Sequence, residues 1–362
     1  QMWDRSKPGT RELVNEIVHG TFCKEGTAVA MFTGFPGAAA PIRADESYIT
    51  AMDATPTGAV YGGTSGHAAH LFVAMVHGMT GIVFDMGTVG GCDSTAAMCC
   101  TGDAFVAGVN GASGGRIVTR HLQPLPFDLI QEWGFHRQPY TDLGLVQQPE
   151  PIVHAVATAD RKRVVGATTQ SLFTVDPEAK EMAVVGRVPG SGRLAVDAAG
   201  RVLGMDGDAA LWAYDPKSNK LERQAIDLPK KGSWKWADLR WARDPRDGSQ
   251  IVADGEGRLF AWDGKTWSPP LAKVQPAPIN CMAITFDGRL FGHCGDGIGR
   301  LFSYDPEAGK MTDIGVAASV FNRRRYGYAF GDAVVGRDGE VVFGENDALG
   351  HLWLYFPKVK GA

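Results

Sequence analysis

The chain lacks the motifs that usually commit a sequence to one chemistry. Its six cysteines (Cys23, Cys92, Cys99, Cys100, Cys281 and Cys294) include no Cys-x-x-Cys pair, which excludes the common zinc spacing. They are also too sparse for a disulfide scaffold, so most are expected to be small buried hydrophobes. No apolar run approaches the roughly 18 residues of a membrane span, and no membrane partner is expected. Charge of one sign is missing as well: a formal net charge of -4 and a pI near 6.2 give no reason to expect nucleic acid. There is no full Gly-x-x-x-x-Gly-Lys-Ser/Thr phosphate loop, no Gly-x-Gly-x-x-Gly dinucleotide fingerprint and no His-Glu-x-x-His pair, and the one Gly-x-Ser-x-Gly spelling, at 111–115, lies in a β-rich run rather than at a strand-to-helix elbow. These absences disfavour several large enzyme classes. The chain opens on Gln1 without a signal pattern, as expected of a secreted or periplasmic protein whose leader has been removed, or of a trimmed chain.

What the sequence does have is a repeated phrase, Leu-aromatic-x-aromatic-Asp-Pro or a close variant. It begins at Leu172, Leu211, Leu259, Leu301 and Leu352, with intervals of 39, 48, 42 and 51 residues. A period in that range matches the four-stranded blade of a β-propeller. Before each phrase a strand ends in Gly, and after it come a Pro/Gly turn and a further β-rich run. In the third repeat the strands are read as Ile152–Ala157, Val164–Gly166, Ser171–Val175 and Met182–Val185.

The fold class expected is therefore all-β: one seven-bladed β-propeller domain over 1–362, built of four-stranded antiparallel blades. The blades are placed at 48–89, 94–146, 152–187, 194–228, 237–273, 279–316 and 328–357. The last has only three strands, and 27–35 (TAVAMFTGF) is expected to supply the fourth and close the ring. An open β-solenoid or paired β-sandwiches are the alternative, although solenoid rungs are shorter and sandwiches do not repeat a phrase in this way. The insertion 120–140 is expected to cap a blade edge or form a partner surface.

In such a ring the entries to the innermost strands and the turns between second and third strands open on one face. Collecting those positions gives His67, His70, His154, Trp234, Trp236, Asn280, His293, Arg323, Arg324, Arg325, Tyr326, Tyr328, Glu345, Asn346 and Asp347. A histidine near pKa 6.5 can take and give a proton, although each of these could equally satisfy a tight turn. Three consecutive arginines cannot all reach bulk water from a buried strand; one is either an anion fork or the partner of a carboxylate such as Asp332 or Glu345. Trp234 or Trp236 offers a stacking platform for a sugar or packs between blades. His293 with Glu345 and Asp347 is a candidate set for a divalent metal (Ca, Mn or Zn), without support from local spacing.

The chain resembles the seven-bladed propeller polysaccharide lyases, a group that includes ulvan lyases, oligogalacturonate lyases and rhamnose–glucuronate lyase. The resemblance lies in Gly-Gly-Thr-Ser-Gly-His-Ala-Ala-His-Leu-Phe at the first blade, Leu-Phe-Ser-Tyr-Asp-Pro later, and Gly-Glu-Asn-Asp with His-Leu-Trp-Leu-Tyr-Phe-Pro at the end. It implies β-elimination at a uronic acid, in which a positive group meets the charge of the enediolate intermediate. By that resemblance Arg323, Arg324 or Arg325 would hold the carboxylate, assisted or replaced by a metal. His67 or His70 would be the base, and Tyr326, Tyr328 or His154 the acid. The expected partner is an acidic poly- or oligosaccharide met by a monomer. The alternatives are a non-catalytic propeller that binds glycan or protein, and a metal-dependent hydrolase or lactonase.

Overall fold

The computed structural model describes residues 24–28, 42–77, 80–122, 140–189, 192–207, 210–230, 232–234, 239–318, 326–348 and 350–358. Among these, 28 strands, β1 to β28 in chain order, form seven four-stranded antiparallel sheets. Six sheets are meanders of consecutive strands. The seventh has the order β1-β28-β27-β26.

The repeated phrase is the third strand of its blade, and its terminal Asp has a local task. Asp176 accepts the N–H of Ala179, Asp215 that of Lys217, Asp263 those of Lys265 and Thr266, and Asp305 those of Glu307 and Ala308. These Asx-turns start the reversal into the fourth strand. In three of the five copies the aromatic at the second position of the phrase lies over a glycine of the neighbouring strand: Phe173 is in register with Gly166, Trp212 with Gly204 and Phe302 with Gly292, whereas Phe260 faces Val252 and Trp353 faces Phe343. A Cβ on any of these glycines would occupy the ring's place, which is why the second strand carries Gly there. Phe72, Phe173, Trp212 and Phe260 are almost fully buried. At about 2 kcal/mol or more for each large apolar side chain, these repeated anchors hold the blades together.

The core lies between adjacent sheets. One cluster joins Val165 and Leu172 of the third blade to Val202, Trp212 and Tyr214 of the fourth. At the inner edge each blade turns on the same bond, an N–H to C=O pair such as Thr158 to Arg163 (2.8 Å), Asp244 to Ser249 (2.8 Å) or Thr285 to Arg289 (2.9 Å).

Closure uses β1 (Lys24–Ala28), which pairs antiparallel with β28 (His351–Tyr355), Glu25 lying opposite Trp353. The closing strand thus sits earlier than 27–35; the two overlap only at Thr27 and Ala28, and 29–35 lies outside the described residues. The innermost strand of the last blade, β26 (Phe330–Val335), starts beyond the tyrosines, so Tyr326 and Tyr328 precede it in an exposed connection. The segment 123–139 of the insertion lies outside the described residues.

Candidate functional site

The innermost strands β2 (Tyr48–Ala54), β6 (Cys92–Cys100), β10 (Ile152–Ala157), β14 (Ala195–Val196), β18 (Arg240–Arg243), β22 (Ile279–Ile284) and β26 surround a central channel. Its entry mouth, where these strands begin, holds a cavity of about 320 Å³ lined by Asn280, Asp296, Gly297, Phe330 and Asn346, among others. A deeper cavity of about 540 Å³ continues toward the other end. Thr50, Arg193 and Arg240 line both.

Arg193 spans the channel. It enters from the fourth blade and donates to Asp332 Oδ1 (2.8 Å) and the Gly331 carbonyl (2.6 Å) on the seventh. Burial alone would lower its pKa, but Asp332 outweighs it and the charge is held more firmly than usual. Asp332 also accepts the Met52 N–H at 2.9 Å, tying the seventh blade to the first. Arg240, on the fifth blade, donates to the carbonyls of Asn280 (2.7 Å) and Leu239 (3.0 Å).

His154 stands beside these two arginines. Its Nδ1 accepts the N–H of Leu194 at 3.1 Å. Burial, with Arg193 and Arg240 adding repulsion, pushes its pKa down to about 3. The ring is neutral at pH 7, and because Nδ1 is an acceptor the single proton must sit on Nε2. In this state His154 is a fixed hydrogen-bond donor and neither ring nitrogen is a ready base.

The other histidines depart from the sequence reading. His70 is buried, with Nδ1 3.1 Å from Asp85 and Nε2 3.0 Å from Glu46. Burial would lower its pKa, but the two carboxylates win and raise it. It is a clasp between two carboxylates, with both ring nitrogens engaged, rather than a free base. His293, 1% exposed, accepts from Asn280 Nδ2 (3.0 Å) and donates from Nε2 to the Ile298 carbonyl (2.9 Å). Burial holds its pKa at about 4. His67 is exposed on its turn, 3.3 Å from Asp45, and lines neither cavity.

The metal candidates do not assemble into a ligand set. Glu345 is buried and accepts the N–H groups of Tyr328, His351 and Trp353 Nε1, and both nitrogens of His293 are engaged as above. Among the described residues no three His, Cys, Asp or Glu side chains converge on one point. Trp234 is no platform: it packs on Phe260 and Trp267 in the core and donates to the Pro229 carbonyl. Trp236, Arg323, Arg324 and Arg325 lie outside the described residues. Tyr328 is half exposed and stands against Gly297 at the entry mouth, whereas Tyr326 is exposed beside it in the chain. Five of the cysteines are described, and all five are buried and unpaired.

Arg193 and Arg240 were not singled out from the sequence, and Asp332 was named only as a carboxylate that could pair with the 323–325 arginines, yet a signal for all three exists. Counting four residues back from the one whose N–H closes the inner turn gives Ala51, Ala97, His154, Arg193, Arg240, Cys281 and Asp332 in the seven blades. Three members of this column are small and four are large and polar, and all four of the large polar ones line the channel. Aligning repeats on that turn, rather than on the phrase, finds them.

No protein-family model matches the chain, and no curated protein matches it. Solved structures do. The chain is similar to the WD40 β-propeller domain of Doa1, with a TM-score of 0.55 and 11% identity over 85% of this chain and 93% of that one. It is also similar to the extracellular domain of BT4673 from B. thetaiotaomicron, a protein described as a hybrid two component system, with a TM-score of 0.59 and 12% identity. That likeness covers 93% of this chain and 40% of the other, so the chain spans less than half of that structure. At these identities the likeness shows the fold alone. The fold is a seven-bladed β-propeller.

Proposed function

We propose that the protein binds an acidic glycan, taking a uronate carboxylate at the entry mouth of its channel. The observation that carries this reading is that Arg193 and Arg240 line both the entry mouth and the deeper cavity, with the Nε2–H donor of His154 beside them in the deeper one. In a protein of net charge -4, the described lining of both cavities carries five arginines (161, 193, 240, 243, 337) against three aspartates (53, 296, 332). Such a channel concentrates anions. Fixed donors suit a planar carboxylate. A secreted or periplasmic location belongs to the same proposal, since an acidic polysaccharide is met outside the cytoplasm and one similar structure is an extracellular domain.

Titrating the protein with galacturonate and glucuronate oligosaccharides by calorimetry tests this. Saturable binding that weakens about tenfold in His154→Gln, one donor's worth of free energy, is expected. Equal affinity for the corresponding neutral sugars would overturn it.

A second reading, β-elimination at the bound uronate, is favoured by one observation: the phenol of Tyr328 is exposed beside Gly297 at this same mouth. Here the carboxylate sits among the donors, the C5 proton passes to a base, the C4–O bond breaks and the leaving oxygen takes a proton. Tyr328 would supply one of these proton transfers. Absorbance of the unsaturated product, lost in Tyr328→Phe with binding retained, supports this reading; binding without any rise in absorbance leaves the protein a glycan binder.

A further inference from the structure

We propose that the opposite mouth of the channel, where the innermost strands end, is a second anion site that takes a phosphate-type oxyanion. Three alternate blades send an arginine there: Arg161 from the turn after β10, Arg243 from the end of β18 and Arg337 from the turn after β26. All three line the deep cavity. Spaced around a ring, they approach a common axis from three sides, the arrangement that suits a tetrahedral oxyanion better than a flat carboxylate.

Their charges are poorly met. Arg161 donates to the Cys100 carbonyl (2.9 Å) and lies 3.6 Å from Asp53. That carboxylate already accepts the N–H groups of Ala54 (2.8 Å) and Cys100 (2.7 Å), and burial raises its pKa against the opposing pull of Arg161. Among the described residues Arg243 and Arg337 make no hydrogen bond and no ion pair. The carboxylates nearest Arg243 are mostly committed elsewhere, Asp197 to Arg201 and Asp244 to Arg246, while Asp247 is exposed in the following turn. Partial burial and the neighbouring Arg161 lower the pKa of Arg243 against the weaker pull of Asp247, Asp197 and Asp244.

The turn that carries Arg161 is also strained. Its φ of 53° lies in the left-handed region, where an arginine is uncommon. The turn is pinned by the Arg161 carbonyl accepting the Gly102 N–H (2.8 Å). The strain is maintained by a bond to the neighbouring blade. Phe286, 56% exposed, stands on the same rim in the turn after β22. It offers a flat apolar face next to the cationic opening, on which a nucleobase can stack.

The test is calorimetry on the full chain with inorganic pyrophosphate and, separately, ADP. Saturable one-site binding is expected, weakened about tenfold by Arg243→Gln or Arg337→Gln and lost in the double variant, as for removal of charge-assisted bonds. Both side chains are exposed and unpartnered, so an unchanged Tm is expected. Arg243→Lys, which keeps the charge but not the fork, should fall between wild type and Arg243→Gln. ADP binding more tightly than pyrophosphate, with the difference removed by Phe286→Ala, identifies a nucleotide; equal affinities identify a bare polyphosphate. No saturable binding, or wild-type binding by the double variant, overturns the proposal. So does loss of pyrophosphate binding in Asn346→Ala, a residue that lines the entry mouth and not the deep cavity, which would move the anion to the entry mouth.

Discussion

The rim of the first blade and the wall of the channel each enclose an imidazole, and their pKa values are moved in opposite directions. His70 stands between Asp85 and Glu46, which favour its charged form; His154 stands beside Arg193 and Arg240, which disfavour it. Both pay the desolvation cost of a charged ring, so burial does not explain the difference. The neighbours do. A carboxylate on each nitrogen favours the histidine cation, whereas two guanidiniums and a backbone N–H turn the ring into a neutral donor with a fixed tautomer. The types and spacing of histidines in a sequence do not distinguish these fates.

The comparison breaks most severely at Asp332, the counter-charge on which the channel wall depends. Asp332→Ala leaves Arg193 without its carboxylate and Met52 N–H without an acceptor, and should cost about 3 kcal/mol in urea unfolding. The pKa of His154 should fall further in that variant, because the arginine charge beside it is no longer offset.

On the rim, His70→Gln should cost about 2 kcal/mol at pH 6, since Glu46 and Asp85 lose the charge between them. The folded pKa of His70 is raised, so its stabilisation is complete below the unfolded value near 6.5 and is lost as pH rises through the folded value. Unfolding of wild type and variant at pH 6 and pH 9 should therefore show a gap that narrows on the alkaline side; a constant gap would mean that the clasp acts by packing alone.

His154 should show the reverse slope. Its folded pKa is about 3, so only the unfolded chain gains this proton between about 6.5 and 3, and stability falls with pH across that window. At pH 5.5 the loss attributable to this one group is about 1 kcal/mol, and His154→Gln should flatten that part of the curve. The His154 ring signals in NMR should stay unshifted down to about pH 4. The smallest effect expected is at Tyr328, half exposed and with no hydroxyl hydrogen bond among the described residues: Tyr328→Phe should change stability by less than about 0.5 kcal/mol.

The fold was legible because its determinants are local and recur. The phrase carries an apolar strand, a turn-forming Asp and, in three of its five copies, an aromatic seated over a glycine across the strand pair, and each of these constraints acts within one blade. The strands of the third blade were readable almost to the residue for that reason. The site was less legible because its determinants are not local. Which nitrogen of His154 carries the proton depends on Leu194, 40 residues away, and whether Arg193 is paired depends on Asp332, 139 residues away. His154, Asn280 and Tyr328 lie at the entry mouth or channel, but nothing local in the sequence separates them from His293, which donates to a backbone carbonyl and accepts from Asn280, or from Glu345, which accepts backbone and indole N–H groups. Trp234 failed in the same way: its neighbours Phe260 and Trp267 belong to the next stretch of chain and bury it.

The pairing of Glu25 with Trp353 has a consequence for how the molecule is made. On the ribosome the outer strand of the seventh blade is synthesised first and its partner last. Residues 24–28 must wait through the synthesis of six blades, their backbone groups open to any other strand edge. Until the final blade emerges the nascent ring has two raw edges, and any interruption of translation releases a chain that can pair with its neighbours. Tethering or deleting this short segment should therefore affect yield and aggregation during expression well before it alters the finished channel.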